Sequence, residues 1–348
     1  MVRSSVLGII SAGLLFLNLS CSPVVYKTAT PSIRNNKYDS EFPNANASKQ
    51  LEDISNTVFR INSLAFYKVY IFSDSSRIKL DDLTEFAILT KNIKSTFMDR
   101  TSSGTGTVIY FSDGKVMLLT CAHIVSFPDT IITYFSDEKG VFTDHIQSVA
   151  IKDKETIYIA GFPERSEVDV LSIDKDADLA LLGKDYGPGS NKNIPVFNYP
   201  FGFAKELEWG DFVYLFGFPM NYKMVSKAIV SNPNFDKSGS FFIDAVVNRG
   251  FSGGVVLALR DGVPNFELVG IVQWITDENQ NVLEPAPLEG SFKYNPLVPY
   301  KGDSYAKQLQ LLRYGITKVI SAETIKDFLS ESEGNLKKKG FFLTFKGQ

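Results

Sequence analysis

One serine in the sequence is framed by glycines in a way that suits a nucleophile. The surrounding segment runs Asp244-Ala-Val-Val-Asn-Arg-Gly250-Phe-Ser252-Gly-Gly254. Glycines on both sides let the backbone bend sharply and let a substrate approach closely. A serine hydroxyl is a weak nucleophile by itself, so the same site would need a general base, and a third group to orient that base.

The order of the histidines and the serine restricts the possible arrangements. Both histidines, His123 and His145, precede Ser252. A G-x-S-x-G pattern also occurs in α/β-hydrolases, but their histidine follows the serine. The remaining orders are the chymotrypsin-like and the subtilisin-like ones. The β-rich sequence argues against the α/β subtilisin type, which leaves a His-Asp-Ser triad on a double β-barrel.

The candidate base and carboxylate stand at the ends of apolar runs. His123 follows a predicted strand, Val116–Thr120, after Cys121 and a small alanine. Asp178 is singled out among many aspartates because the apolar run Leu179-Ala-Leu-Leu follows it directly. A carboxylate at the mouth of a buried strand can be desolvated and held against an imidazole ring. His145 lies in a polar stretch and is interpreted as a surface residue.

The remaining pattern is that of an all-β protein with one clear helix. Short runs of β-branched and aromatic residues, separated by turn residues, predict a barrel or sandwich; they cover 65–72, 105–111, 116–120, 130–135, 156–160, 212–216, 241–247, 255–259 and 268–274. A helix is predicted near the end of the chain, with Ser321 as its N-cap. Residues 51–61 have helical spacing, and residues 276–303 are interpreted as a long loop.

Taken together, these segments resemble the trypsin/chymotrypsin-like serine endopeptidases, in particular the bacterial Deg/HtrA branch. The resemblance spans about residues 100–275, and no PDZ domain is expected after the protease domain. It rests on five short motifs: Thr120-Cys-Ala-His123, Asp-Ala-Asp178-Leu-Ala, Gly217-Phe-Pro219, Asn248-Arg-Gly250-x-Ser252-Gly-Gly254 and Val269-Gly-Ile-Val-Gln-Trp274. It implies a double six-stranded β-barrel with a C-terminal helix. It also implies catalysis by His123, Asp178 and Ser252, with the N–H groups of Gly250 and Ser252 as the oxyanion hole.

The same resemblance implies a substrate pocket and leaves one alternative open. Its floor would be Val246 and its wall would follow Gln273 and Trp274 to Ile275. These side chains predict protein or peptide substrates with small or medium apolar P1 residues. Phe251 replaces the polar residue that is usual before the nucleophile, so a latent or inactive binding module is the alternative to a peptidase. A simple esterase is a weaker third hypothesis.

The N-terminal segment predicts export and lipid anchoring. A single Arg3 precedes an apolar run at 6–19, which is too short for a confident membrane span and ends at Ser20-Cys21. This resembles a bacterial lipoprotein signal with lipidation of Cys21, and hence attachment to a membrane of the cell envelope. The predicted organisation is a signal peptide (1–20), a flexible tether (21–50), a protease domain (51–330) and a C-terminal tail (331–348). Cys121 is interpreted as a buried core residue.

Composition excludes several other classes of protein. The chain has 348 residues, 44% hydrophobic residues, two cysteines, two histidines and a net charge of −3. This is a globular composition, without the basic surface of a nucleic-acid-binding protein. Two cysteines exclude a disulfide-rich scaffold, and their spacing fits no structural zinc site. The chemistry inferred above requires no metal or organic cofactor.

Overall fold

A computed structural model of the chain describes residues 34–41, 45–163, 167–190, 192–245, 249–273, 278–285, 295, 297–311 and 315–342. The residues from 36 onward form one structural unit, and the architecture below is that of this unit. In the described part, no helix is both long enough and apolar enough to span a bilayer.

The first half of this unit is a closed β-barrel. Its strands are β1 (Val58–Phe72), β2 (Asn92–Ser112), β3 (Lys115–Thr120), β4 (Thr130–Ser136), β5 (Phe142–Ala160), β6 (Glu167–Asp174) and β7 (Leu179–Asp185). The order β1-β2-β3-β7-β6-β5 closes because β5 also pairs with β1, and β4 adds a seventh strand to the outer side of β5. Buried apolar residues of β3 and β7 fill the interior.

The second half forms another closed barrel, which is followed by a helix. The strands are β8 (Phe212–Gly217), β9 (Met224–Asn232), β10 (Phe241–Ile243), β11 (Val255–Leu259), β12 (Phe266–Gln273), β13 (Glu278–Pro285), β14 (Ser304–Leu311) and β15 (Thr317–Ser321). Six of them close in the order β10-β15-β12-β11-β8-β9. The predicted double six-stranded β-barrel with a C-terminal helix is thus confirmed.

Two sequence-based expectations about secondary structure are wrong in part. Strands β13 and β14 form a hairpin of their own, so residues 278–285 are not the predicted loop. The polar sequence of β13 has no apolar alternation, which is why its strand was not recognised. The predicted helix at 51–61 ends early, because α1 (Ser48–Asn56) stops and β1 begins at Val58.

The remaining helices are short, apart from the last. They are α2 (Glu85–Lys91), α3 (Ala122–Val125) and α4 (Ala322–Lys338). Ser321 caps α4 as predicted, since its Oγ accepts the N–H of Thr324 at 3.2 Å. Helix α4 runs past residue 330, the predicted end of the protease domain, and buries Phe328, Leu329 and Leu336.

Strands β1, β2, β4 and β5 extend into an arm (residues 64–103 and 130–155). The sheet order in the arm is β2-β1-β5-β4. The arm has a small core of its own, formed by Phe72, Ile78, Ile88, Ile146 and Val149. The β4–β5 hairpin lies in the stretch between His123 and Asp178 and accounts for its length.

Part of the predicted tether packs against the second barrel. Tyr38 is buried, and its hydroxyl donates to Glu267 Oε2 at 2.8 Å. The guanidinium of Arg260 lies over the Tyr38 ring, 4.1 Å from its centroid. The backbone of Asp39 bridges β11 and β8, because its N–H donates to the Leu259 carbonyl and its carbonyl accepts the Phe212 N–H. The chain is therefore fixed to the barrel before residue 50.

One buried carboxylate beside this segment makes stability depend on pH. Asp211 is buried and accepts the Glu208 N–H at 2.7 Å, and burial raises the pKa of its carboxyl to about 6. A raised pKa means that ionisation costs stability, which is lost as pH rises from about 4 through 6. We expect Asp211→Asn, which keeps the acceptor, to raise the free energy of unfolding by about 1–2 kcal/mol at pH 7.5 and by little at pH 4. Chemical denaturation at both pH values measures this.

Asp236 provides the matched control with the opposite sign. Burial acts to raise the pKa of Asp236, but hydrogen bonds from Ser238 and Ser240 lower it overall. Its carboxylate therefore stabilises the fold above the usual pKa, and this stabilisation is lost as pH falls. Asp236→Asn should destabilise at pH 7.5. A pH-independent effect of Asp211→Asn would contradict the assignment.

Candidate active site

Two strands of the first barrel bring His123 and Asp178 together. Strands β3 and β7 are antiparallel neighbours, with Thr120 opposite Ala180. The turn α3 leaves β3 at the point where Asp178 enters β7. The Nδ1 of His123 lies 3.0 Å from Oδ1 and 2.8 Å from Oδ2 of Asp178. The backbone N–H of His123 donates to Oδ1 at 2.9 Å.

Asp178 is held by its backbone as well as by its side chain. Its φ is +58°, a left-handed conformation that Asp and Asn adopt more readily than most residues. Its carbonyl accepts the Ala122 N–H at 3.1 Å. Burial acts to raise the pKa of Asp178, but hydrogen bonds from His123 and from Gln273 lower it overall. The group is thus a carboxylate at neutral pH.

Gln273, which the sequence assigned to the substrate pocket, makes a contact that was not predicted. Its Nε2 donates to Asp178 Oδ2 at 3.0 Å. Gln273 is the last residue of β12 in the second barrel, so this bond ties the carboxylate of the first barrel to the second. We assign Gln273 a positioning contact that the sequence analysis missed.

Hydrogen bonds from Thr105 hold the loop that carries Ser252 in place. The Thr105 N–H donates to the Ser252 carbonyl at 2.8 Å, and its Oγ1 donates to the Gly250 carbonyl at 2.5 Å. The same Oγ1 accepts the Phe218 N–H at 3.1 Å. Thr105 is fully buried. Thr105 lies between Gly104 and Gly106, and the sequence of this short motif does not indicate that Thr105 contacts the Ser252 loop.

Phe251 packs inward and belongs to the core of the second barrel. A Cβ added to Gly217 would lie 2.6 Å from the Phe251 ring, so that glycine makes room for it. Gly250 has a φ of +110°, a backbone conformation that favours glycine. Within the described residues, the N–H groups of Gly250 and Ser252 donate to no protein acceptor.

His123 and Ser252 line one cleft of about 590 Å³. The cleft is bordered by β1, β2 and the Ser252 loop, and its lining also includes Asn62, Leu64, Thr101, Ser103, Tyr158, Asn221, Arg249 and Gly250. The hydrogen bonds of His123 within the described part of the chain go to Asp178, and none joins it to Ser252. Nucleophile–base hydrogen bonds are often long in structures without substrate.

Cys121 lies behind the His123–Asp178 pair and is fully buried, as the sequence predicted. Its Sγ, one nitrogen of His123 and one oxygen of Asp178 lie within 4.8 Å of one another, a spacing that ligands of one metal ion can have. Burial raises the pKa of the Cys121 thiol well above its usual value, and its Sγ donates to the Val272 carbonyl at 3.3 Å. The Cys121 thiol donates to Val272, and His123 Nδ1 and the Asp178 carboxylate bond to each other, so each of the three side chains already has a hydrogen-bond partner. The group is better explained as a hydrogen-bonded network.

Four of the predicted site residues lie outside the described residues. These are Val246, Trp274 and Ile275 of the substrate pocket, and Cys21 of the lipidation site. His145 lies at the arm, 3.6 Å from Asp74 and 3.5 Å from Asp144, away from the cleft.

One family model and two solved structures are similar to this chain. Residues 104–271, just under half of the chain, match the family model of the trypsin-like peptidase domain. The two closed six-stranded barrels match the chymotrypsin-like architecture. Among solved structures, the chain is similar to Deg5, with 16% identity over 65% of this chain and 83% of that chain, at a TM-score of 0.36. It is also similar to kallikrein-related peptidase 10, with 11% identity over 76% of this chain and 94% of that chain, at a TM-score of 0.33. No curated protein matches the sequence significantly.

Proposed function

We propose that the protein is a serine endopeptidase of the Deg/HtrA-like branch, with His123, Asp178 and Ser252 as its triad. The observation that carries this proposal is the geometry of His123. Its Nδ1 faces both oxygens of a carboxylate, while its ring lines the same cleft as Ser252. An imidazole whose Nδ1–H is held by a carboxylate has Nε2 available to accept a proton.

In this proposal the steps follow from the residues of the cleft. The Oγ of Ser252 attacks the peptide carbonyl carbon, and its proton moves to Nε2 of His123. The N–H groups of Gly250 and Ser252 donate hydrogen bonds to the tetrahedral oxyanion and stabilise its charge. His123 then protonates the leaving amine as the C–N bond breaks, and water hydrolyses the acyl-enzyme by the same route. Asp178 stays ionised and stabilises the imidazolium.

The proposal extends to substrate and location. Val246, Gln273, Trp274 and Ile275 carry no charge and predict cleavage after small or medium apolar P1 residues. Cleavage mainly after lysine or arginine in a peptide library would contradict this. The predicted lipidation of Cys21 places the enzyme on a membrane of the bacterial cell envelope, and fractionation of cells with mass spectrometry of the N-terminal peptide tests that.

Reaction with a fluorescent fluorophosphonate tests the proposed activity. The soluble protein beginning at Ser22 is labelled, digested, and the modified peptide is mapped by mass spectrometry. We expect one label per chain, on Ser252, and none after heat denaturation. A folded protein that takes no label on Ser252 would overturn the proposal.

A folded protein without label on Ser252 is what we expect from the second candidate function, a latent protease-like binding module. The observation in its favour is that no hydrogen bond joins His123 to Ser252 in the described part of the chain. Labelling rates for the two candidates differ sharply, because an activated serine reacts with the probe and an unactivated one does not.

Gly250→Ala is expected to lower kcat about 10²–10³-fold, the usual effect of losing one oxyanion donor. An added Cβ would lie 2.2 Å from the Phe218 carbonyl oxygen, at a φ of +110°. The peptide would have to rotate and carry its N–H away from the oxyanion. Steady-state kinetics at saturating peptide measures this effect.

Gly189→Ala is the matched control for Gly250→Ala. Gly189 also has a positive φ, +75°, but no atom lies within 4 Å of an added Cβ. It should show backbone strain without loss of kcat. Equal kcat losses in the two variants would indicate general destabilisation and contradict the assigned role of Gly250.

A further inference from the structure

Strand β2 has a long edge that no described strand covers. Its residues from Asn92 to Gly104 pair with β1 on one side, and β3 takes up the other side only from Thr107 onward. Eight of the ten residues from Ile93 to Ser102 are exposed. An uncovered edge of this length presents a row of backbone donors and acceptors that can pair with another extended chain.

The alternation of the backbone identifies which groups face this edge. The Thr105 N–H points to the side of the Ser252 loop, and the Thr105 carbonyl accepts the hydroxyl of Thr120 in β3. The β1–β2 register has no irregularity between Thr105 and Lys94. In an antiparallel strand every second residue directs both of its groups to the same side. The N–H and C=O groups of Ser103, Thr101, Asp99, Phe97 and Ser95 therefore face the open edge.

This edge is continuous with the cleft. Thr101 and Ser103 line the cleft with His123 and Ser252. The side chains of these alternate β2 residues share a face with their β1 partners, so the face runs from the cleft floor past Phe66 to Phe97. Phe66 and Phe97 are 40% and 73% exposed. Exposed aromatic side chains on a free edge are suited to a partner strand with apolar residues at alternate positions.

We propose that the β2 edge from Ser103 to Ser95 binds the leaving-group half of a protein substrate as an added antiparallel strand. The inference rests on the proposed peptidase function. It defines the substrate as an extended segment of about ten residues beyond the scissile bond, with apolar side chains that contact Phe66 and Phe97.

The assignment to the leaving-group half follows from the position of His123. The base must protonate the leaving amine, so the chain beyond that amine departs over His123. Strand β2 passes directly over the turn that carries this residue, since an added Cβ on Gly104 would lie 2.3 Å from the side chain of Ile124. The second-barrel strand that ends at Gln273 approaches the site from the Asp178 side.

Peptide length provides the first test. Fluorogenic peptides share one acyl half that ends in valine, and have a leaving half of two residues or of ten residues that alternate valine and threonine. We expect kcat/KM to be about ten-fold or more higher for the long peptide. A third peptide of the same length, with proline at alternate positions of the leaving half, cannot pair and should behave like the short one.

A variant of the edge provides the second test. Asp99→Pro removes one N–H of the open edge and leaves the β1 ladder intact, because that N–H points away from β1. Asp99→Ala loses the same carboxylate but keeps the N–H. We expect Asp99→Pro to lose most of the ten-fold length advantage and Asp99→Ala to retain it. All three proteins should cleave the short peptide equally.

The outcomes separate this inference from the proposed function. Equal kcat/KM for long and short peptides in an active enzyme would overturn the inference and leave the peptidase intact. If no peptide is cleaved, anisotropy with fluorescein-labelled long and short peptides on the Ser252→Ala protein decides. Tighter binding of the long peptide that is weakened by Asp99→Pro but not by Asp99→Ala supports the edge, and equal binding overturns it.

Discussion

Ser252→Ala is expected to lower kcat about 10⁶-fold without changing the fold. Its Oγ forms no hydrogen bond with any described residue, so its removal leaves no partner unsatisfied. The loop stays fixed through backbone groups, because Thr105 bonds the carbonyls of Ser252 and Gly250. Steady-state cleavage of a valine-P1 peptide and thermal melting measure the two expectations. Residual activity above that of water would come from the oxyanion donors alone.

The joint action of the serine and the histidine makes this prediction sharper. If the two residues form one nucleophile–base unit, His123→Ala should cost about as much as Ser252→Ala, and the double variant should be no slower than either. Independent roles would multiply the two losses. A double variant slower than both single variants, or a single variant within ten-fold of the native protein, would contradict the unit.

The residues of the candidate site could be selected from the sequence because each is marked locally. Asp178 and His123 each flank a buried apolar strand, and Ser252 is framed by glycines. Strands β3 and β7 then make the contact between residues 55 positions apart. The sequence pattern gave the order of these residues along the chain, and the barrel supplied the neighbour relation that joins them.

Contacts that depend on register could not be predicted. The hydrogen bond from Gln273 to Asp178 spans 95 positions and joins two barrels, so no sequence pattern near Gln273 indicates it. The same applies to Thr105, whose hydroxyl meets a carbonyl 145 positions away. The first part of β2, one of the two outer strands of the arm, was not predicted for another reason. It has no buried face, and therefore no apolar alternation that would indicate a strand.

Asp178→Asn is expected to lower kcat about 10⁴-fold, with little change in KM. Asparagine has nearly the same shape as aspartate and tolerates the φ of +58° that an alanine would strain. The two carboxylate oxygens accept from the His123 N–H, from Nδ1 of His123 and from the Gln273 amide. An Asn amide therefore places a donor against a donor in either orientation.

His123 can avoid a contact between two donors only by changing its tautomer, and this change would prevent it from acting as the base. When Nδ1 becomes the acceptor, the proton moves to Nε2, which then has no lone pair for the Ser252 proton. The low pKa of Asp178 also makes its carboxylate stabilising above pH 4, so the assay must be run well below the melting temperature of the variant.

Asp176→Asn is the control for Asp178→Asn, because Asp176 is an exposed loop residue two positions away. It should leave kcat unchanged. If Asp178→Asn retained activity within ten-fold of the native protein, the tautomer of His123 would have to be set by another group. The Asp178 carboxylate would then be a structural ion that joins the barrels through Gln273.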